Sequence, residues 1–120
     1  INFIGKNDKI GLKVDNNFFI HDFNFKTRNN DQLIISILNL AKKHKVNIDS
    51  DFSILVNFGP GSFSSMRISL AVAKGIRISK NIDIYGFKDS DLSQFNPANI
   101  EFLIKKKLIQ KNLIKPLYLS

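Results

Sequence analysis

The residue pattern predicts an α/β fold, a mixed sheet with helices packed on it and a helix near the C-terminus. Three observations carry this. Phe52–Phe58 and Ile82–Phe87 are short β-branched and aromatic runs of strand length, bounded by turn residues. Between them, Ser64–Lys80 places apolar residues at helical spacing, so a helix connects two strands. Ahead of them, two strand-like runs flank the turn cluster Asp15-Asn16-Asn17, which reads as an antiparallel pair.

In order, Ile1–Ile4 reads as a short strand. Lys9–Val14 alternates, with Ile10, Leu12 and Val14 on one face, and Phe18–Phe23 returns beside it. Asn24–Asn30 is polar and reads as a loop. Asp31–His44 reads as a helix capped by Asn29 or Asn30, with Leu33, Ile34, Ile37, Leu38, Leu40 and Ala41 forming a wide apolar arc that Ile35 extends. After the strand Ile82–Phe87, Ser90–Phe95 is a turn or short helix. Asn96 then caps and Pro97 opens a last helix striped by Ile100, Leu103, Ile104 and Leu108. Lys105, Lys106, Lys107 and Lys111 load its second half. They read either as a solvated face complementing the helix dipole or as a patch tracking nucleic-acid phosphates.

At 120 residues one domain is the prior, and eleven Phe supply ample core. No apolar run approaches the ~18 residues that a membrane span needs. No charged segment followed by an apolar one opens the chain, so no secretory leader is expected. The absence of Cys excludes disulfides and thiolate metal sites and fits a reducing compartment. The net charge of +8 suggests nucleic acid or an acidic partner. Arginine occurs only as Arg28, Arg67 and Arg77, however, and abundant Lys, Ile, Asn and Phe is what an AT-rich genome encodes by default. His21 and His44 have no ligand spacing and read as ordinary polar residues. No Ser-His-Asp arrangement, paired carboxylates or metal cluster is visible, and strand and turn geometry would spread Asp83, Asp89 and Asp91. No catalytic residue, metal or cofactor is therefore assigned.

The chain is organised around residues 57–75. Gly59-Pro60-Gly61-Ser62 turns a strand into a helix, and Ser62, Ser64 or Ser65 can cap that helix. The loop reads either as a tight turn or as an anion-binding loop using Gly59, Gly61, Ser62 and Ser64, because free N–H groups at a helix start attract negative charge. It lacks the Gly-Lys-Ser/Thr of a Walker loop. The helix that follows has nearly two apolar sides. Met66, Leu70, Ala73 and Ile76 lie on one, and Ile68, Ala71, Gly75 and Ile78 on the other. A surface helix needs one such stripe, so the helix is either buried on both sides within its own fold or open on one side to a partner, and the sequence leaves undecided which side that would be. Ile34, Leu38, Ile68, Ala71, Gly75 and Ile78 are the candidate docking residues.

Gly59-Pro60-Gly61-Ser62-Phe63-Ser64-Ser65-Met66-Arg67-Ile68-Ser69-Leu70-Ala71-Val72-Ala73-Lys74-Gly75 resembles the Gly-Pro-Gly-Ser-Phe-Thr-Gly-Leu-Arg-Ile-Gly-Leu-Ala-x-Ala-Lys-Gly stretch of the bacterial TsaB (YeaZ) family. The likeness continues through Asn81–Phe87 and into Pro116-Leu117-Tyr118-Leu119, where the family has Pro-x-Tyr-Leu-Arg. The resemblance implies an actin-like, ribonuclease-H-like (ASKHA) lobe. Residues 1–95 would form the first lobe, and the helix and tail of 96–120 would stand where most of the second lobe is lacking. It further implies a cytoplasmic, non-catalytic subunit without cofactor. Such a subunit docks through its first-lobe helices on a TsaD-like enzyme and works with a TsaE-like ATPase in threonylcarbamoylation of the adenosine next to the tRNA anticodon. The same apolar helices would support a homodimer in the partner's absence. Where the family pattern Leu-Ala-x-Asp-Thr-Ser carries a metal- and phosphate-placing Asp, this chain has Asn2-Phe3-Ile4-Gly5-Lys6-Asn7, with Gly5 at that position, which argues against nucleotide hydrolysis. A small anion-binding module and a stand-alone tRNA-binding protein are the alternative functions.

Overall fold

The computed structural model describes residues 1–23, 30–107, 109–111, 114 and 117. The predicted loop 24–30 therefore falls outside them apart from the backbone of Asn30, as do Asn29, Leu108, Pro116 and Tyr118–Ser120.

Strands β1 (Lys9–Val14) and β2 (Asn17–Asp22) pair antiparallel through a tight turn in which Asp15 takes φ 53°. Ile10 and Leu12 are buried, as the alternation predicts. Strand β3 (Ser53–Asn57) pairs parallel with β4 (Asp83–Phe87), and the crossover between them is helix α2 (Phe63–Lys80). Helix α1 (Asn30–Lys43) precedes β3.

The expected strand Ile1–Ile4 is reduced to a seam. Asn2 forms one antiparallel bridge with Lys9. On its other side, the Ile1 amine donates to Leu55 O at 2.6 Å and Asn57 N donates to Ile1 O at 2.9 Å. These two bonds embrace Val56 in the parallel pattern, so residues 1–4 join β1–β2 to the β3–β4 side. A longer ladder cannot form because the backbone reverses at once, with Gly5 at φ 99° and Asn7 at φ 52°. The Asp8 carboxylate stabilises that reversal by accepting from Ile4 N and Gly5 N at 3.1 and 3.0 Å.

The C-terminal part departs further from expectation. Helix α3 (Pro97–Lys105) starts as predicted, with Pro97 in its first turn and Asn96 accepting from Asn99 N at 2.8 Å. It stops before the predicted end, and Lys107 turns left-handed at φ 57°. Residues Ile109–Lys111 form β5, antiparallel to β4. Lys111, expected on the helix, instead lies 3.5 Å from Asp83 across the sheet. A short, weak helical stripe is overridden by the open edge of β4, which offers ladder hydrogen bonds.

Helices α1 and α2 pack on each other and on the sheet. The main core joins Leu33 and Ile37 of α1, Met66, Leu70, Val72, Ala73 and Ile76 of α2, and Ile54, Val56 and Ile84 of the strands. Phe3 and Ile4 from the seam complete it. Leu103 of α3 is fully buried outside this cluster, and Lys13–Glu101, at 3.1 Å, ties α3 to β1.

Asn57, at the end of β3, is fully buried. Its Nδ2 donates to Asn2 Oδ1 at 2.7 Å and Asp89 Oδ1 at 3.0 Å, while its Oδ1 accepts from Gly59 N at 2.9 Å. Asn57→Ala would leave three groups short of a partner and is expected to lower unfolding stability by about 3 kcal/mol in a denaturant melt. Burial pushes the Ile1 amine from 8.0 down to about 5. Between these values the fold holds the amine neutral while the unfolded chain protonates it. A chain starting at Ile1 should therefore lose stability as pH falls from 8 to 5, and an added upstream residue, making this nitrogen an amide, should abolish that component.

Candidate partner interface and glycine loop

The glycine loop is held by its own chain at nearly every turn. Gly59 takes φ 104°, and a side chain there would run into the Leu117 carbonyl. A Cβ on Gly61 would lie 2.6 Å from Ile4 Cβ, so the loop needs glycine where it crosses the seam. Gly59 N donates to Asn57, Gly61 N to Leu117 O at 3.1 Å, and Ser62 N to Ile4 O at 2.9 Å. Leu117 N returns a bond to Phe58 O at 2.8 Å, and Asp89 N donates to Gly59 O at 2.8 Å. Ser62 is the helix cap, its hydroxyl accepting from Ser65 N at 3.3 Å. Ser64, one residue into α2, is exposed. The donors of Gly59, Gly61 and Ser62, which an anion would recruit, are thus engaged within the protein.

Gly5 also has a positive φ, and a Cβ there would meet Ser62 Oγ at 2.9 Å. The neighbouring carboxylate, Asp8, is buried against the backbone of Ile4 and Gly5. Lys6 pairs with Asp89 at 3.4 Å, which closes the Asn2–Asn57–Asp89 network at the surface. His44 stacks on Phe19 with ring centroids 3.5 Å apart, and His21 meets Phe23 edge-on at 5.1 Å. Among the described residues no three His, Cys, Asp or Glu side chains gather as a metal site.

The choice between the two sides of α2 is made by the sheet. Met66, Leu70, Ala73 and Ile76 face the core, together with Ser65, Ser69 and Val72. Ala71, Gly75 and Ile78 are exposed, Ile78 at 78%. Among the described residues nothing lies within 4 Å of the Cβ that Gly75 lacks. On α1, Leu33, Ile37 and Ala41 are buried, whereas Ile35 and Leu38 stand 53% and 45% exposed. Ile34 and Ile68 are half-buried and pack against the core. Of the six candidate docking residues, four are open and two edge the core. Exposed Phe63, at the first position of α2 and in phase with the core stripe, was not among the six. No described helix is long and apolar enough to cross a membrane.

This geometry makes adjacent positions behave oppositely. Ala73→Arg puts a charge into a site of zero exposure and should cost more than about 3 kcal/mol, whereas Ala71→Arg should leave the melting temperature within about 1 °C of the parent. Thermal melts of both variants test this.

No family model matches the chain. Over 57 residues, 46% of its length, it is 42% identical to the tRNA threonylcarbamoyladenosine biosynthesis protein TsaB of Buchnera aphidicola subsp. Baizongia pistaciae (strain Bp), a match covering 26% of that protein. The fold is similar to YeaZ from Pseudomonas aeruginosa, with a TM-score of 0.68 at 17% identity over 75% of this chain and 42% of that one. A second structure, titled an uncharacterized protein with similarity to peptidase YeaZ from Pseudomonas aeruginosa, gives the same values. The chain thus spans well under two thirds of the length of the relatives it matches. The chain is thus similar in sequence, over 57 residues, to a TsaB protein and similar in its mixed α/β fold to YeaZ structures.

Proposed function

We propose that this chain is a non-catalytic docking lobe that binds a TsaD-like enzyme, and through it serves threonylcarbamoylation of the adenosine next to the tRNA anticodon. The observation that carries the reading is the open side of α2. Ala71, Gly75 and Ile78 form an apolar, low-relief surface on a helix whose other side already fills the core. Gly75 costs a mid-helix position up to ~1 kcal/mol and its missing Cβ would meet nothing within 4 Å among the described residues, which fits close approach of another backbone. Ile34, Leu38 and Ile68 continue the surface. The 57-residue match to a protein named for tRNA threonylcarbamoyladenosine biosynthesis supplies the pathway. The absence of a carboxylate at position 5 and the commitment of Asp8 to backbone donors support the non-catalytic role.

In this reading residues 1–95 are the docking lobe, and 96–120 close it by returning a strand to β4. The protein acts in the cytoplasm, binds no cofactor, meets a TsaE-like ATPase and tRNA through the complex, and can pair with itself through the same face when alone. The anion-module alternative is weaker because the loop donors are engaged, and titration calorimetry with ATP and phosphate should give no heat of binding.

Co-expression with the TsaD-like protein of the same organism, followed by size exclusion with mass determination, is expected to give a one-to-one complex. Ala71→Arg should abolish that complex without unfolding the chain. A chain that elutes alone in both cases would overturn the docking reading.

A further inference from the structure

A second surface lies where the C-terminal ends of α1 and α2 converge. An open groove of about 400 Å³ is lined by Leu38, Ala41, Val46 and Ile48 and by Lys42, Lys45 and Lys80, with Asn47 beside them. The floor is aliphatic, and all three lysines are exposed. Among the described residues no carboxylate lines the groove, and the only acidic residue of the two helices, Asp31, lies in the first turn of α1, on the order of 20 Å away along its axis.

Cations at helix C-termini are favoured by the dipole, which would account for Lys42 and Lys80. It does not account for Lys45. Val46 N donates to Ala41 O at 2.8 Å and Lys45 N to Lys42 O at 3.1 Å, so α1 ends in a Schellman motif with Lys45 at the left-handed position, φ 57°. Glycine is relaxed there and lysine is not. The same motif places Val46 and Ala41 together in the groove floor, so one turn of backbone sets both the apolar base and a cation of the rim.

We infer that this groove receives an acidic amphipathic helix of a partner protein, its apolar residues on the floor and its carboxylates against Lys42, Lys45 and Lys80. Charge complementarity specifies the acid. The aliphatic floor, without an aromatic ring or an arginine among its lining residues, favours a peptide over RNA, which is held by stacking and phosphate-tracking side chains. The groove shares Leu38 with the α2-side docking surface and enlarges it. The inference rests on the docking reading for that continuity, but its test requires no TsaD-like protein.

Amide-shift titration of the full chain with a synthetic Glu/Leu amphipathic peptide should move residues 38–48 and 80, with affinity falling as salt rises. Lys42→Gln, Lys45→Gln and Lys80→Gln together should weaken binding roughly tenfold. Lys45→Gly should raise the melting temperature while lowering affinity, a pairing that a purely structural lysine would not give. The proposal is overturned by any of three results: no saturable shifts, equal binding of a Glu/Ser peptide of the same charge, or tighter binding of an oligouridylate at the same residues. Because Ala71 lies outside the groove, Ala71→Arg should leave the peptide titration unchanged even where it abolishes the complex.

Discussion

The fold depends on a single buried amide. Asn57 holds the seam through Asn2, the turn after β4 through Asp89, and the glycine loop through Gly59 N. These segments are far apart in sequence, and none is regular enough to hold itself by a ladder. In a low-dielectric interior, each of these bonds is hard to replace once its partners are dehydrated. Residues 1–4 can therefore bridge two partial sheets with only a few main-chain bonds, and Gly59–Gly61 can pass closely over the seam.

The clamp also sets the direction of α2. Ser62 N bonded to Ile4 O and the Ser62 cap fix where the helix begins. Its phase then follows from 3.6 residues per turn, with Met66, Leu70, Ala73 and Ile76 inward and Ala71, Gly75 and Ile78 outward. The apolar surplus on the outer side is larger than a lone lobe of this kind needs to bury. One side of the helix thus fills the core and the other stays exposed, with the lysine-rimmed groove at its far end.

Much of this was legible in the sequence. The strands β1 to β4, the helices α1 and α2 and the Asn96-Pro97 start of α3 followed from periodicity, caps and turn residues, because each is a local signal. What was missed shares one cause. Ile1–Ile4 is held by partners on both sides rather than by its own ladder, and Ile109–Lys111 became a strand because β4 had a free edge. A local stripe could not reveal either, nor could it show that Lys111 would face Asp83. The six candidate docking residues were readable as an apolar excess, but which of them are exposed depended on the sheet.

By itself, the sequence determined that α2 would have two apolar sides and that a Gly-Pro-Gly-Ser turn would start it. These follow from residue type and spacing. The tertiary structure alone decided which side of α2 is core, that the loop donors are spent on Asn57, Ile4 and Leu117, and that Lys42, Lys45 and Lys80 rim one groove. Each of these requires segments distant in the chain to meet, and only packing fixes which surfaces are left over when they do.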